Sequence, residues 1–146
     1  MVLWDVNLLL YAAIPRLAHH RQCRRLLQQL ADGGEHFGVS TLILGAVVRI
    51  ATNPRVFSPP ASSPSVFNFC IALLEHPRAV LVAPGPRHWS IFEDLVLATG
   101  IKGSETTDAF LAALAIEHGC EWWSSDTGFS RFPGLRWRNP LDAVIA

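Results

Sequence analysis

The stretch Val2-Leu3-Trp4-Asp5-Val6-Asn7-Leu8-Leu9-Leu10 decides the fold. Val2 to Trp4 is a short apolar run of the kind that forms a buried strand, and helical apolar spacing begins at Leu8. One carboxylate, Asp5, and one amide, Asn7, stand at the junction. In open parallel sheets ligands gather in the crevice beyond the carboxyl ends of the strands. An acid that ends the first strand is therefore aimed at a candidate site. Asp and Asn are also good helix N-caps, and from this stretch alone both readings stand.

The pattern repeats along the chain. A short helix from Asn7 to Ala13 stops near Pro15, and His20 to Leu30 sets Leu26, Leu27 and Leu30 against Arg21, Arg24, Arg25, Gln28 and Gln29, an amphipathic helix ending before Asp32-Gly33-Gly34. Phe37-Gly38-Val39 is a second short strand. Ser40 or Thr41 then caps an apolar helix, Leu42 to Ala51, broken by Asn53-Pro54. Arg55 to Pro64 is rich in Ser and Pro and is expected to be a mobile loop, before helical periodicity returns over Ser65 to Glu75. Val80-Leu81-Val82 is a third, buried strand, and Pro86 is expected to open a helix that stops at Gly100. Ser104 to His118 is the clearest helix, with Gly119 as its stop. Glu121 to Ser125 forms the fourth strand, ending at Asp126. A helical turn over Gly128 to Arg131 leads to a last short strand at Leu135-Arg136-Trp137. Strands alternating with helices predict an α/β fold with a central parallel sheet between two helical layers.

Composition sets the bounds. The 146 residues suit a single domain, 1–146, with a substantial core; half are hydrophobic and 16% charged, which excludes a disordered chain. No apolar run reaches the roughly 18–20 residues of a membrane span, and no signal peptide is read at the N-terminus. Cys23, Cys70 and Cys120 are too few and too widely spaced for a disulfide frame or a zinc site, and fit buried thiols in a cytoplasmic protein. None of the six histidines falls at a zinc-ligand spacing, so structural or solvent roles are expected for them. Net charge is zero, so no global field argues for a nucleic-acid partner, although the cations are almost all Arg, with Lys102 the only Lys.

Three carboxylates carry the chemistry. Asp5 ends the first strand and Asp126 the fourth, while Asp108 lies in the first turn of the helix beginning near Ser104, whose N-terminus faces the same crevice. Singly, Asp108 could be an acid favoured by the helix dipole and Asp126 a turn former in Asp126-Thr127-Gly128. Together at one sheet edge they repel one another unless neutralised. A hard divalent cation such as Mg²⁺, which prefers carboxylate oxygens, relieves that repulsion. Such an ion polarises a phosphodiester and lowers the pKa of the attacking water, so metal-assisted phosphodiester hydrolysis is the expected reaction class.

Asp5-Val6-Asn7-Leu8-Leu9, Thr107-Asp108-Ala109-Phe110-Leu111-Ala112-Ala113-Leu114-Ala115 and Ser124-Ser125-Asp126-Thr127-Gly128-Phe129 resemble, in order, the motifs of PIN-domain ribonucleases. The closer likeness is to VapC-type toxins of bacterial toxin–antitoxin pairs, extended by the segments Arg49 to Phe57 and Arg131 to Trp137. The resemblance implies a three-layer α/β/α sandwich, usually homodimeric. It implies endonucleolytic cleavage of structured RNA such as tRNA or rRNA with Mg²⁺ or Mn²⁺, and a cognate antitoxin that blocks the site. It makes Asp5, Asp108 and Asp126 metal-binding carboxylates, oriented by Asn7 and Ser125 through hydrogen bonds.

One departure matters. Many PIN nucleases supply a fourth acid, a Glu, from the helix after the second strand, where this chain has Ala46. Glu105, three residues before Asp108 and on the same helical face, is the candidate substitute; it is equally placed to act on the helix dipole alone. Arg49 could touch RNA phosphate or tie down the loop after its helix. Arg16, Arg21, Arg24 and Arg25 with His19 and His20 form a basic cluster whose default is a solvated helix face. Trp4, Trp122 and Trp123 are expected mainly in the core. Two rival readings remain: a non-catalytic PIN-like module that binds RNA or a protein, and an aspartyl-phosphate enzyme or receiver, which also carries an Asp after its first strand. Against the second, Asn7 stands where a phosphatase wants an Asp.

Overall fold

A computed structural model describes residues 1–142; the last four residues of the expected domain lie outside it. The chain runs β1 (Val2–Trp4), α1 (Val6–Ala13), α2 (His20–Asp32), β2 (Phe37–Val39), α3 (Thr41–Ala51), α4 (Ser63–Leu74), β3 (Ala79–Leu81), α5 (His88–Thr99), α6 (Thr106–Glu117), β4 (Glu121–Trp123) and β5 (Trp137–Arg138). A 3₁₀ turn, Gly103–Glu105, precedes α6, and a second, Thr127–Arg131, joins β4 to β5.

All ladder pairs are parallel: β1 with β4, β4 with β5, and β2 with β3. β1 and β2 lie side by side, giving the order β3-β2-β1-β4-β5, although no ladder bond joins them among the described residues. The chain steps outward from β1 through β2 to β3, then returns across the sheet to β4. Because parallel crossovers are right-handed, the outward crossovers (α1 to α4) and the returning one (α5 and α6) fall on opposite faces. The three-layer α/β/α sandwich follows. Consecutive connections part company between β1 and β4, the switch point at which a crevice opens beyond the strand ends.

Close packing positions these two halves. α6 buries Ala109, Ala112, Ala113 and Ala115 completely, and these small side chains let the helix sit near both the sheet and α5. Leu3, Trp122 and Phe129 are fully buried at the centre, and Trp4 stacks on Trp123 at 5.9 Å. Between β1 and β2 the approach is close at Gly38: a Cβ there would meet Val82 Cγ2 at 3.0 Å and Leu3 Cδ1 at 3.3 Å. All three cysteines are buried and free.

Several local expectations are corrected. The third strand spans Ala79–Leu81 and lies at the sheet edge with Val80 and Leu81 exposed; only Val82, just beyond it, is buried. A β-branched run signals a strand but not whether a neighbour covers it. Pro86 sits in a turn and α5 starts two residues later at His88. The loop before α4 is shorter than expected, because Ser62 caps the helix by accepting from the Ser65 N–H at 3.3 Å, which brings Pro64 into the first turn. Ser40 occupies the N-cap position of α3, yet its buried hydroxyl makes no capping bond.

Introducing a branched side chain at the tight β1–β2 contact, Gly38→Val, is expected to destabilise the fold by about 1–3 kcal/mol through overpacking. Chemical denaturation of the variant and its parent checks this.

Candidate active site

The register of β1 against β4 builds the site. Trp4 pairs with Trp123, so the next residues, Asp5 and Ser124, emerge side by side at the carboxyl edge. The Asp5 N–H extends the ladder by donating to the Trp123 carbonyl at 2.8 Å. The Ser124 hydroxyl donates to Asp5 Oδ2 at 2.6 Å, and Asp5 Oδ1 accepts from the Val6 N–H at 2.7 Å. Asp5 is thus both the N-cap of α1 and an acid of the crevice. The two sequence readings describe one residue doing both.

Ser124 is fully buried and its hydroxyl is saturated. Besides donating to Asp5, it accepts from Asn7 Nδ2 at 3.3 Å and from the Asp126 N–H at 3.0 Å. A hydroxyl has one donor and two acceptor lone pairs, so this one group ties together the ends of β1, α1 and β4. Ser125 enters only through its backbone, donating to Asn7 Oδ1 at 3.5 Å. The side chain that orients Asp5 is Ser124, one residue earlier. Strand alternation carried a signal for it, since Ser124 lies two residues from the buried Trp122 and so faces the same way.

Asp126 caps the 3₁₀ turn after β4, its Oδ1 accepting from the Gly128 N–H at 2.8 Å. Asp108 is half-buried in the first turn of α6, where unpaired helix N–H groups favour negative charge. Its carboxylate is taken by Arg131 at the end of the same 3₁₀ turn, with Nη2 to Oδ2 at 3.1 Å. Glu105 is exposed immediately before α6. Arg49 is exposed in the last turn of α3, with no ion pair among the described residues, and half-buried Ala46 lies one turn before it.

The acids act on one another. Burial pushes the Asp5 carboxyl up to about 6; the bonds from Ser124 and Val6 oppose this, while the charges of Asp108 and Asp126 add to it. Asp108 is also raised, chiefly by burial and then by Asp126, with Arg131 pulling it back and Glu105 pushing it further. The donor chemistry, all carboxylate oxygen in mutual repulsion, fits a hard divalent cation. The set is not closed into a cage: among the described residues no three acidic, histidine or cysteine side chains stand ready to hold an ion together. Asp108 is the member turned to another partner.

Comparison with known proteins fixes the family. The PIN domain model matches residues 2–135. Ribonuclease VapC43 of Mycobacterium tuberculosis is 42% identical over 142 residues, covering 97% of each chain, and ribonuclease VapC33 of the same species is 37% identical over 97% of this chain and 99% of its own. The chain belongs to the VapC family of PIN domains. A chain in the crystal structure of VapBC2 from Rickettsia felis, bound to a DNA fragment from their promoter, superposes with a TM-score of 0.68 over 93% of this chain and 96% of that one; at 16% identity it speaks for the fold alone. The match of a PIN domain along the chain leaves the aspartyl-phosphate reading without a basis. No helix among the described residues is long and apolar enough to cross a membrane.

Two outcomes follow from the Asp5 environment. Its carboxyl binds a proton more tightly folded, near 6, than unfolded, near 3.8, so this group's contribution to stability falls as pH climbs through that window. Relative to its parent in EDTA, Asp5→Asn is expected to gain on the order of 3 kcal/mol between pH 3.5 and pH 7, whatever constant cost the amide carries; denaturation midpoints at the two pH values read this out. Ser124→Ala removes the donor that opposes the upward shift and orphans the Asp126 N–H. It should destabilise the protein by about 1–3 kcal/mol and move the Asp5 carboxyl titration, followed by ¹³C NMR, to higher pH.

Proposed function

We propose that the chain is a metal-dependent endoribonuclease that cleaves structured RNA, tRNA or rRNA, and is held inactive by a cognate antitoxin. The observation that carries this reading is the convergence of Asp5, Asp108 and Asp126, from three distant segments, on the crevice at the β1–β4 switch point. Membership of a family whose relatives are named ribonucleases supports it.

Asp5, Asp108 and Asp126 would hold Mg²⁺ or Mn²⁺, with Glu105 as a fourth carboxylate in place of the acid missing at Ala46. When bound, the ion supplies a lowered pKa for the attacking water and charge stabilisation at the phosphoryl oxygens. The chain's own residues do the rest. Val6 N–H and Ser124 hold Asp5 in one rotamer, and Ser124 fixes the Asp126 backbone. Burial of Asp5 keeps the dielectric around that carboxylate low, which would strengthen its attraction for a cation. Arg49, with no ion pair among the described residues, is available on the last turn of α3 to an RNA phosphate.

Two apolar surfaces support protein partners. Phe67, Ile71 and Leu74 of α4 lie exposed along a groove whose α3 side is Thr41, Leu44, Gly45 and Val48, and Trp89 and Leu97 of α5 are 67% and 74% exposed. Unpartnered apolar surface of this kind marks protein interfaces, here an antitoxin and a second copy of the chain, in a cytoplasmic setting.

Ala46 and the open acidic set favour one second reading, a PIN module that binds RNA without cutting it. Incubating the purified, antitoxin-free protein with end-labelled tRNA and rRNA in Mg²⁺, Mn²⁺ or EDTA separates the two. Discrete cuts are expected with either metal, lost in EDTA and reduced at least a hundredfold by Asp108→Asn. Retention of RNA with no cut under any metal would leave the binding module standing.

A further inference from the structure

We propose that Arg131 is an internal stand-in cation, occupying Asp108 in the metal-free protein and exchanged by the divalent ion onto the RNA backbone. This rests on the metal-dependent reading above and assigns a working role to a residue outside the acidic set.

Four observations place the guanidinium. Nη2 lies 3.1 Å from Asp108 Oδ2, and the two side chains are 31% and 32% exposed. The guanidinium carbon stands 5.0 Å over the Phe132 ring, whose face favours a cation. It also lies 3.9 Å from where a Cβ on Gly128 would sit, a point only 3.0 Å from Asp126 Oδ1. The glycine therefore leaves open a lane between Asp126 and Arg131 that any side chain would fill. Finally, Arg131 forms the one salt bridge to these acids among the described residues, and its charge offsets the repulsion on Asp108.

Position follows from the local fold. One 3₁₀ turn begins at Asp126 and ends at Arg131, so it carries an acid of the site at one end and a base at the other. The base reaches across to Asp108 on α6. A single contact between half-exposed partners is a weak, screened interaction, suited to exchange rather than to holding the fold together. A divalent ion held by the acids would offer Asp108 twice the charge of the guanidinium. The released guanidinium pairs in bidentate fashion with phosphate oxygens, and the Phe132 ring beneath it limits how far it swings. Charge near the crevice is then partly offset in both states, by arginine alone before loading and by the ion afterwards.

The test is Mn²⁺ binding by calorimetry without RNA, with cleavage measured separately, on the parent, Arg131→Gln and Arg131→Lys. Removing the competing cation should tighten Mn²⁺ binding by threefold or more in Arg131→Gln while slowing RNA cleavage at least tenfold. Arg131→Lys keeps the charge and should stay near the parent in Mn²⁺ affinity, yet cleave slowly for want of the bidentate fork. A merely structural arginine would not yield tighter metal with slower cutting. Unchanged or weaker Mn²⁺ binding in folded Arg131→Gln overturns the proposal while the metal-dependent reading survives; a parent that binds no Mn²⁺ takes both down. Should Arg131→Gln fail to fold, the unaltered protein still decides. On Mg²⁺ titration the Arg131 side-chain ¹⁵N–¹H resonance should move in step with the Asp108 amide, and a stationary resonance overturns the exchange.

Discussion

The hydrogen bond from the Ser124 hydroxyl to Asp5, 2.6 Å long and shut away from solvent, is the constraint on which the site depends. A carboxylate of this burial is costly to ionise unless donors face it, and Asp5 has two, from Ser124 and Val6. Its carboxyl nevertheless sits near 6, because burial outweighs both donors and the neighbouring acids add their repulsion. The bond exists because Trp4 pairs with Trp123 and not with a neighbour. Slipping that register by one residue would turn Ser124 to the other face of the sheet, leaving Asp5 without its partner and Asp126 without its anchor. Buried Trp4 of β1, stacked on half-buried Trp123 of β4, holds the register in place.

Site and sheet are therefore one construction. The strand order splits the connections at β1 and β4, which opens the crevice where Asp5 and Asp126 emerge. The returning crossover sets the N-terminus of α6, and Asp108 with it, against that opening. Alanines along α6 permit its close seat on the sheet. Clustered acids strain this arrangement, and the protein answers with a salt bridge from Arg131 at the end of the turn that Asp126 begins. Stability is conceded at this edge, as is common where chemistry needs charges held together.

How much of this the sequence carried depended on whether the signal was local. β1, α1, α2, β2, α3 and β4 fell close to their expected places because hydrophobic periodicity and turn residues act within a few positions. So did Gly100 and Gly119, both at positive φ just past their helices. β3 is exposed where its sequence predicts burial, because among the described residues its outer edge has no neighbouring strand, a fact of topology that Val80-Leu81-Val82 does not contain. The motif points to Ser125, whereas Ser124 holds the acid, because which of two adjacent serines faces inward is settled by the pairing of the strand.

By itself, then, the sequence determined an alternating α/β chain with three aspartates at segment ends and the family to which those motifs belong. These are set by local spacing, which one strand or helix expresses without help from the rest. Only the tertiary structure decided that Asp5 shares a hydroxyl network with Asn7, Ser124 and Asp126, that Asp108 is paired with Arg131, and that β3 is left exposed. The Ser124 contact to Asp5 joins residues 119 apart in sequence and the salt bridge joins residues 23 apart. Such contacts come into being through parallel register and crossover direction, quantities that belong to the assembled sheet and to no single stretch of chain.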